Sequence, residues 1–65
     1  MKVTINGEQH TINQSTISQL LENLKIDYKK VAVELNLEIL PKDKYGITEL
    51  NDGDKIEIVH FVGGG

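Results

Sequence analysis

The chain has 65 residues, a formal net charge of −3 and no cysteine. A domain of about this size buries only about 60% of the surface its unfolded chain exposes, so one small domain is expected, with little room for an enclosed active site. The acidic balance argues against a binder of nucleic-acid backbones, which needs clustered Lys and Arg, and the lack of cysteine removes disulfides, thiolate nucleophiles and cysteine-ligated clusters.

Lys2-Val3-Thr4-Ile5 alternates polar with β-branched residues and then meets Asn6-Gly7, a dipeptide suited to the positive φ angles of a type I′ hairpin turn. A two-residue loop sets Ile5 opposite Glu8 and Val3 opposite His10, so the returning strand is expected over residues 8–12. His10 then lies at the rim of the core. No Cys, carboxylate or second His stands beside it at ligand spacing, so no metal site is expected.

Asn13-Gln14-Ser15-Thr16 leads into Ile17-Ser18-Gln19-Leu20-Leu21-Glu22-Asn23-Leu24. Thr16 followed three residues later by Gln19 fits a capping box and starts a helix at Ile17. Ile17, Leu20, Leu21 and Leu24 form one apolar stripe, which a chain this short needs as half of its core. Val31 to Leu35 resumes a period of two with Val31 and Val33 on one face. Asn36-Leu37 turns the chain, although Leu is not favoured there. Glu38-Ile39-Leu40 returns as a short strand that Pro41 ends. Residues 41–46 read as a single helical or 3₁₀ turn, with Tyr45 a satellite core residue beneath it and Lys42 and Lys44 on a solvated face. Asp52-Gly53-Asp54 is a tight turn rather than a calcium loop, because the further oxygen ligands and the downstream Glu of such a loop are missing.

The last strand, Lys55 to Phe61, places Ile56 and Ile58 on one face and Glu57, Val59 and Phe61 on the other. If Ile56 and Ile58 join Val3, Ile5 and Val33 under the helix, Val59 and Phe61 are left uncovered. Two apolar residues in register just before the end of the chain read as a docking patch, to which Val62 belongs. Gly63-Gly64-Gly65 has no packing value. Its bare backbone can thread a narrow channel in a partner, and a terminal carboxylate is ionised at neutral pH and able to attack an activated phosphate. Two parts follow: a domain over residues 1–61 and a flexible glycine tail over residues 62–65.

Runs of strands carrying one helix read as α+β, with a mixed sheet and the helix packed across one face. If the first and last strands pair in parallel, the arrangement is a β-grasp. No nucleophile–base constellation is present, so a catalytic site is not expected. No apolar run approaches the roughly 20 residues of a membrane span, and no signal-peptide pattern occurs, so the chain reads as cytoplasmic with no membrane partner.

The ordered set of the Asn6-Gly7 hairpin, Ile17-x-x-Leu20-Leu21, Val31-Ala32-Val33-Glu34-Leu35-Asn36, Ile39-Leu40-Pro41 with Tyr45, Asp52-Gly53-Asp54, and Ile56 through Gly65 resembles the ThiS family. These are the sulfur carrier proteins of thiamine biosynthesis, with a ubiquitin-like β-grasp fold. The resemblance implies a protein cosubstrate rather than an enzyme, with no bound cofactor. An E1-like adenylating enzyme uses ATP and Mg²⁺ to join Gly65 to AMP. A sulfur relay from a cysteine desulfurase then yields a Gly65 thiocarboxylate, and thiazole synthase takes that sulfur for the thiazole ring. Gly63 and Gly64 are the residues that thread the partner active site. The alternatives are the molybdopterin-synthase small subunit, which tends to be longer, or another ubiquitin-like carrier or modifier.

Overall fold

The computed structural model describes residues 1–61, so the expected glycine tail over residues 62–65 lies outside the described residues. Strands β1 (Lys2–Ile5) and β2 (Glu8–Thr11) pair antiparallel, with Val3 opposite His10 and Ile5 opposite Glu8. Asn6 (φ 49°) and Gly7 (φ 84°) supply the two positive angles of the tight turn. Strand β2 stops at Thr11, one residue earlier than its sequence suggests, although the Ile12 N–H still donates to the Met1 carbonyl at 2.8 Å.

Helix α1 (Ile17–Asn23) begins where its cap requires. Thr16 Oγ1 accepts from the Gln19 N–H at 3.2 Å, while Gln19 Oε1 accepts from the Ser15 N–H at 2.8 Å instead of from Thr16, as a simple capping box would have it. Ser15 is held in place by the same loop that flanks the helix start, because its carbonyl accepts from the Leu50 N–H at 2.8 Å. The helix ends in a Schellman motif: Lys25 adopts φ 60°, its N–H donates to the Glu22 carbonyl, and the Ile26 N–H donates to the Leu21 carbonyl.

Strands β3 (Val31–Leu35), β4 (Glu38–Leu40) and β5 (Lys55–His60) complete a five-stranded mixed sheet in the order β2-β1-β5-β3-β4. The chain's last strand is therefore its central one, parallel to β1 and antiparallel to β3. With α1 across one face this is the β-grasp arrangement. Ile17, Leu20 and Leu21 pack against a sheet face made of Val3, Ile5, Val31, Val33, Ile56 and Ile58, all buried. Tyr45 is no satellite: it is 2% exposed within the main core, and its carbonyl accepts from the Ser18 N–H at 3.0 Å. Burial pushes its phenol pKa upward, partly offset by a backbone hydrogen bond at Val33, so Tyr45 stays neutral at ordinary pH.

The β3–β4 turn repeats the geometry of the first hairpin with a less suitable residue. Asn36 (φ 52°) and Leu37 (φ 72°) stand where Asn6 and Gly7 stand in the other turn, and Leu37 is 86% exposed. A side chain in the left-handed region costs about 1–2 kcal/mol, and nothing buried about Leu37 offsets it. Leu37→Gly is expected to stabilise the domain by about 1 kcal/mol in urea unfolding; no gain would show that the turn is not strained there. Leu21→Ala, which empties a site 2% exposed, should cost about 2–5 kcal/mol in the same assay, whereas a loss below about 1 kcal/mol would contradict the packing of α1.

Candidate functional site

The end of β5 is held more tightly than its place near the chain terminus suggests. Along β3 the pairs run Leu35 with Ile56, Val33 with Ile58 and Val31 with His60, and one further bond, Phe61 N–H to the Lys30 carbonyl at 2.9 Å, carries the pairing past the strand itself. On the β1 side the Asn6 side chain takes over where the parallel ladder ends. Its amide nitrogen donates to the Ile58 carbonyl at 3.1 Å, and its oxygen accepts from the Ile58 N–H at 2.7 Å. Asn36 does the same at the strand's start, accepting from the Lys55 N–H at 2.9 Å and donating to Asp54 Oδ1 at 3.0 Å. Two asparagines whose backbones make turns thus use their side chains to secure the central strand.

With Ile56 and Ile58 turned under the helix, Val59 is 57% and Phe61 60% exposed on the opposite, open face of the sheet. Cross-strand pairing puts Ala32 beside Val59, and sets Ile39, Glu34 and Glu57 in one row across β4, β3 and β5. Ile39 is exposed as well. Glu34 and Glu57 are directly opposed on neighbouring strands, an arrangement that destabilises an isolated sheet. Beside the outward Lys55, the β4–β3–β5 part of the open face is thus an apolar and acidic surface that continues to the last described residue.

Lys42 is exposed, as its sequence suggests, yet its ammonium makes specific contacts. Its Nζ donates to the Val31 carbonyl at 2.7 Å and the Tyr28 carbonyl at 3.1 Å, and it lies 4.9 Å from the centroid of the Phe61 ring. A cation over an aromatic face at an exposed site is worth about 0.5–1 kcal/mol. Lys44 makes no such side-chain contact among the described residues.

Asp52 and Asp54 do turn chemistry: Asp52 Oδ1 accepts from the Lys2 N–H at 2.7 Å, and Asp54, 8% exposed, accepts from the Asn51 N–H and from Asn36. Among the described residues no group of three or more His, Cys, Asp or Glu could hold a metal ion, and no helix is long and apolar enough to cross a membrane. His10 is half-buried opposite Val3. Val59 and Phe61 are thus the two sequence-derived site residues that the structure places, and Val62, Gly63, Gly64 and Gly65 lie outside the described residues.

Comparison with known proteins decides the family. The model of the ThiS family matches residues 3–65. The chain belongs to that family. It is 54% identical over 50 residues to the sulfur carrier protein ThiS of Bacillus subtilis, covering 77% of this chain and 76% of that one. It superposes with a TM-score of 0.86 and 36% identity, over 100% of both chains, on the crystal structure of the thiamine biosynthesis protein ThiS from Geobacter metallireducens. It is also 54% identical over 66 residues to a thiazole synthase of Paramagnetospirillum magneticum, where it matches with its whole length but spans only 20% of that longer protein. For this ThiS-family chain, an exposed Phe61 predicts that Phe61→Ala lowers unfolding free energy by less than about 1 kcal/mol, the cation–aromatic contact included. A loss above about 2 kcal/mol would place Phe61 in the core.

Proposed function

We propose that this protein is a sulfur carrier of thiamine biosynthesis, acting as a cosubstrate with no catalytic side chain of its own. The observation that carries the reading is the match to the ThiS family over residues 3–65, which includes the terminal glycines. The named relatives favour this over the molybdopterin-synthase small subunit. A region like this chain forms part of a longer thiazole synthase in Paramagnetospirillum magneticum, which supports thiazole synthase as the acceptor of the carried sulfur. The site of action is the cytoplasm.

The chemistry falls on the carboxyl of Gly65. A carboxylate is a poor acyl donor because its leaving group would be oxide. In an E1-like adenylating enzyme one Gly65 oxygen attacks the α-phosphorus of ATP, pyrophosphate leaves with Mg²⁺ neutralising its charge, and the carbonyl is joined to AMP as a mixed anhydride. Persulfide sulfur, supplied by a relay from a cysteine desulfurase, then attacks the carbonyl carbon and expels AMP. A thiol then attacks the relay-side sulfur of the resulting acyl disulfide, becoming joined to it as a disulfide and releasing the thiocarboxylate, which thiazole synthase consumes. Gly63 and Gly64 suit a narrow channel because they carry no side chain to clash with its walls.

Docking is assigned to Val59, Phe61 and Val62. Val59 and Phe61 lie on the face the helix does not use, so they are available without disturbing the core. The facing carboxylates of Glu34 and Glu57 suit a partner that brings a basic side chain between apolar ones.

Incubation with the adenylating enzyme, ATP, Mg²⁺ and a sulfur donor should replace one terminal oxygen by sulfur, read as a gain of about 16 Da in intact mass, and removing Gly64 and Gly65 should abolish that gain without lowering the melting temperature. An unchanged mass with an enzyme active on a Bacillus subtilis carrier would contradict the reading.

A further inference from the structure

We propose that Lys42 is a positioning residue that holds the Phe61 ring in the orientation on which the adenylating enzyme docks. The inference rests on the docking assignment above and adds to it a residue outside the strand that bears the patch. Phe61 has a fixed backbone but little around its side chain: its N–H is bonded to the Lys30 carbonyl at 2.9 Å, yet the residue is 60% exposed. An exposed aromatic anchor that samples several rotamers loses that freedom on docking, and the loss weakens the complex.

Lys42 supplies the missing constraint. Its own position is set from behind, since Nζ donates to two carbonyls, of Val31 at 2.7 Å and Tyr28 at 3.1 Å, at the point where the chain enters β3. The third direction of the ammonium is toward Phe61, 4.9 Å from the ring centroid. The two carbonyls and the ring belong to segments far apart in sequence, residues 28–31 and residue 61, so one cation ties the start of β3 to the exit of β5. The ring stays accessible, as a docking anchor must.

A side chain that merely stabilised the fold would show its loss in stability, whereas one that orders an anchor before docking shows it in recognition. Lys42→Met keeps the aliphatic stem and removes the charge and all three contacts. In adenylation assays with carrier concentration varied, Lys42→Met should raise KM about threefold to tenfold with kcat unchanged, the range set by ordering one side chain. Lys42→Arg should recover most of the loss, because a guanidinium can also donate to carbonyls and lie over a ring.

A second measurement needs no enzyme. In the isotopically labelled free protein, the ring-current shift of the Lys42 ε-methylene protons and their nuclear Overhauser contacts to the Phe61 ring should be present, and Phe61 should show a single χ1 rotamer that averages in Lys42→Met. Free averaging of Phe61 in the native protein would overturn the proposal, as would an unchanged KM for Lys42→Met beside an ordered ring. If the native chain is not adenylated at all, the functional reading fails, and with it the docking role of Lys42, while the ring contact is still decided by the spectra.

Discussion

The structure depends on a strand formed by the end of the chain lying in the middle of the sheet. Among the described residues β5 is the only strand with neighbours on both sides that are themselves paired outward, β1 with β2 and β3 with β4. Its two inward residues, Ile56 and Ile58, sit at the centre of the face that α1 covers. Until β5 is in place, Ile17, Leu20 and Leu21 have no continuous surface to pack on, and the two hairpins have no common partner. Such non-local pairing must overcome chain entropy before its contacts contribute. The turn asparagines answer that cost at two points along the strand, Asn6 at its middle by bonding both backbone groups of Ile58 and Asn36 at its start by bonding Lys55 and Asp54.

This topology also separates folding from recognition. Alternation along a strand means that fixing Ile56 and Ile58 under the helix necessarily turns Glu57, Val59 and Phe61 outward. The helix side carries the core of the domain, and the open side carries, across β4, β3 and β5, an apolar and acidic surface that the core does not need. A partner can therefore act on the chain end without unfolding what presents it. The proposed function relies on this division, because it puts the reacting group on a main-chain carboxyl and leaves the rest of the domain to be recognised.

Much of this was legible in the sequence, for reasons that are local. Asn6-Gly7 and the alternation on either side of it specify a hairpin with one register. The Ile17, Leu20, Leu21 spacing and Thr16 specify one helix and its first residue. The alternation of Lys55 to Phe61 specifies which of its residues face out. What escaped was what depends on contacts across long stretches of chain. The Asn6 side chain finds Ile58 at a separation of 52 residues, and its turn role gives no hint of that second bond. Lys42 looks like any surface lysine until β3 and β5 bring two carbonyls and a ring around it. Tyr45 enters the main core because residues 45–50 are bonded to the start of α1, a docking that no periodicity reports. Leu37 breaks the turn chemistry its neighbour Asn36 signals, and the chain adopts the turn regardless because the β3–β4 pairing fixes it.

The central claim is that the open face and the end of β5 meet the partner while the helix face does not. The most direct test is to titrate the labelled protein with the adenylating enzyme and follow every backbone amide. The account predicts that signals of Ala32, Glu34, Glu57, Val59, Phe61 and the terminal glycines shift or broaden, with those of Ile17 to Asn23 unmoved. Changes centred on α1 or on the Asn6-Gly7 turn, with Val59 and Phe61 unaffected, would contradict it.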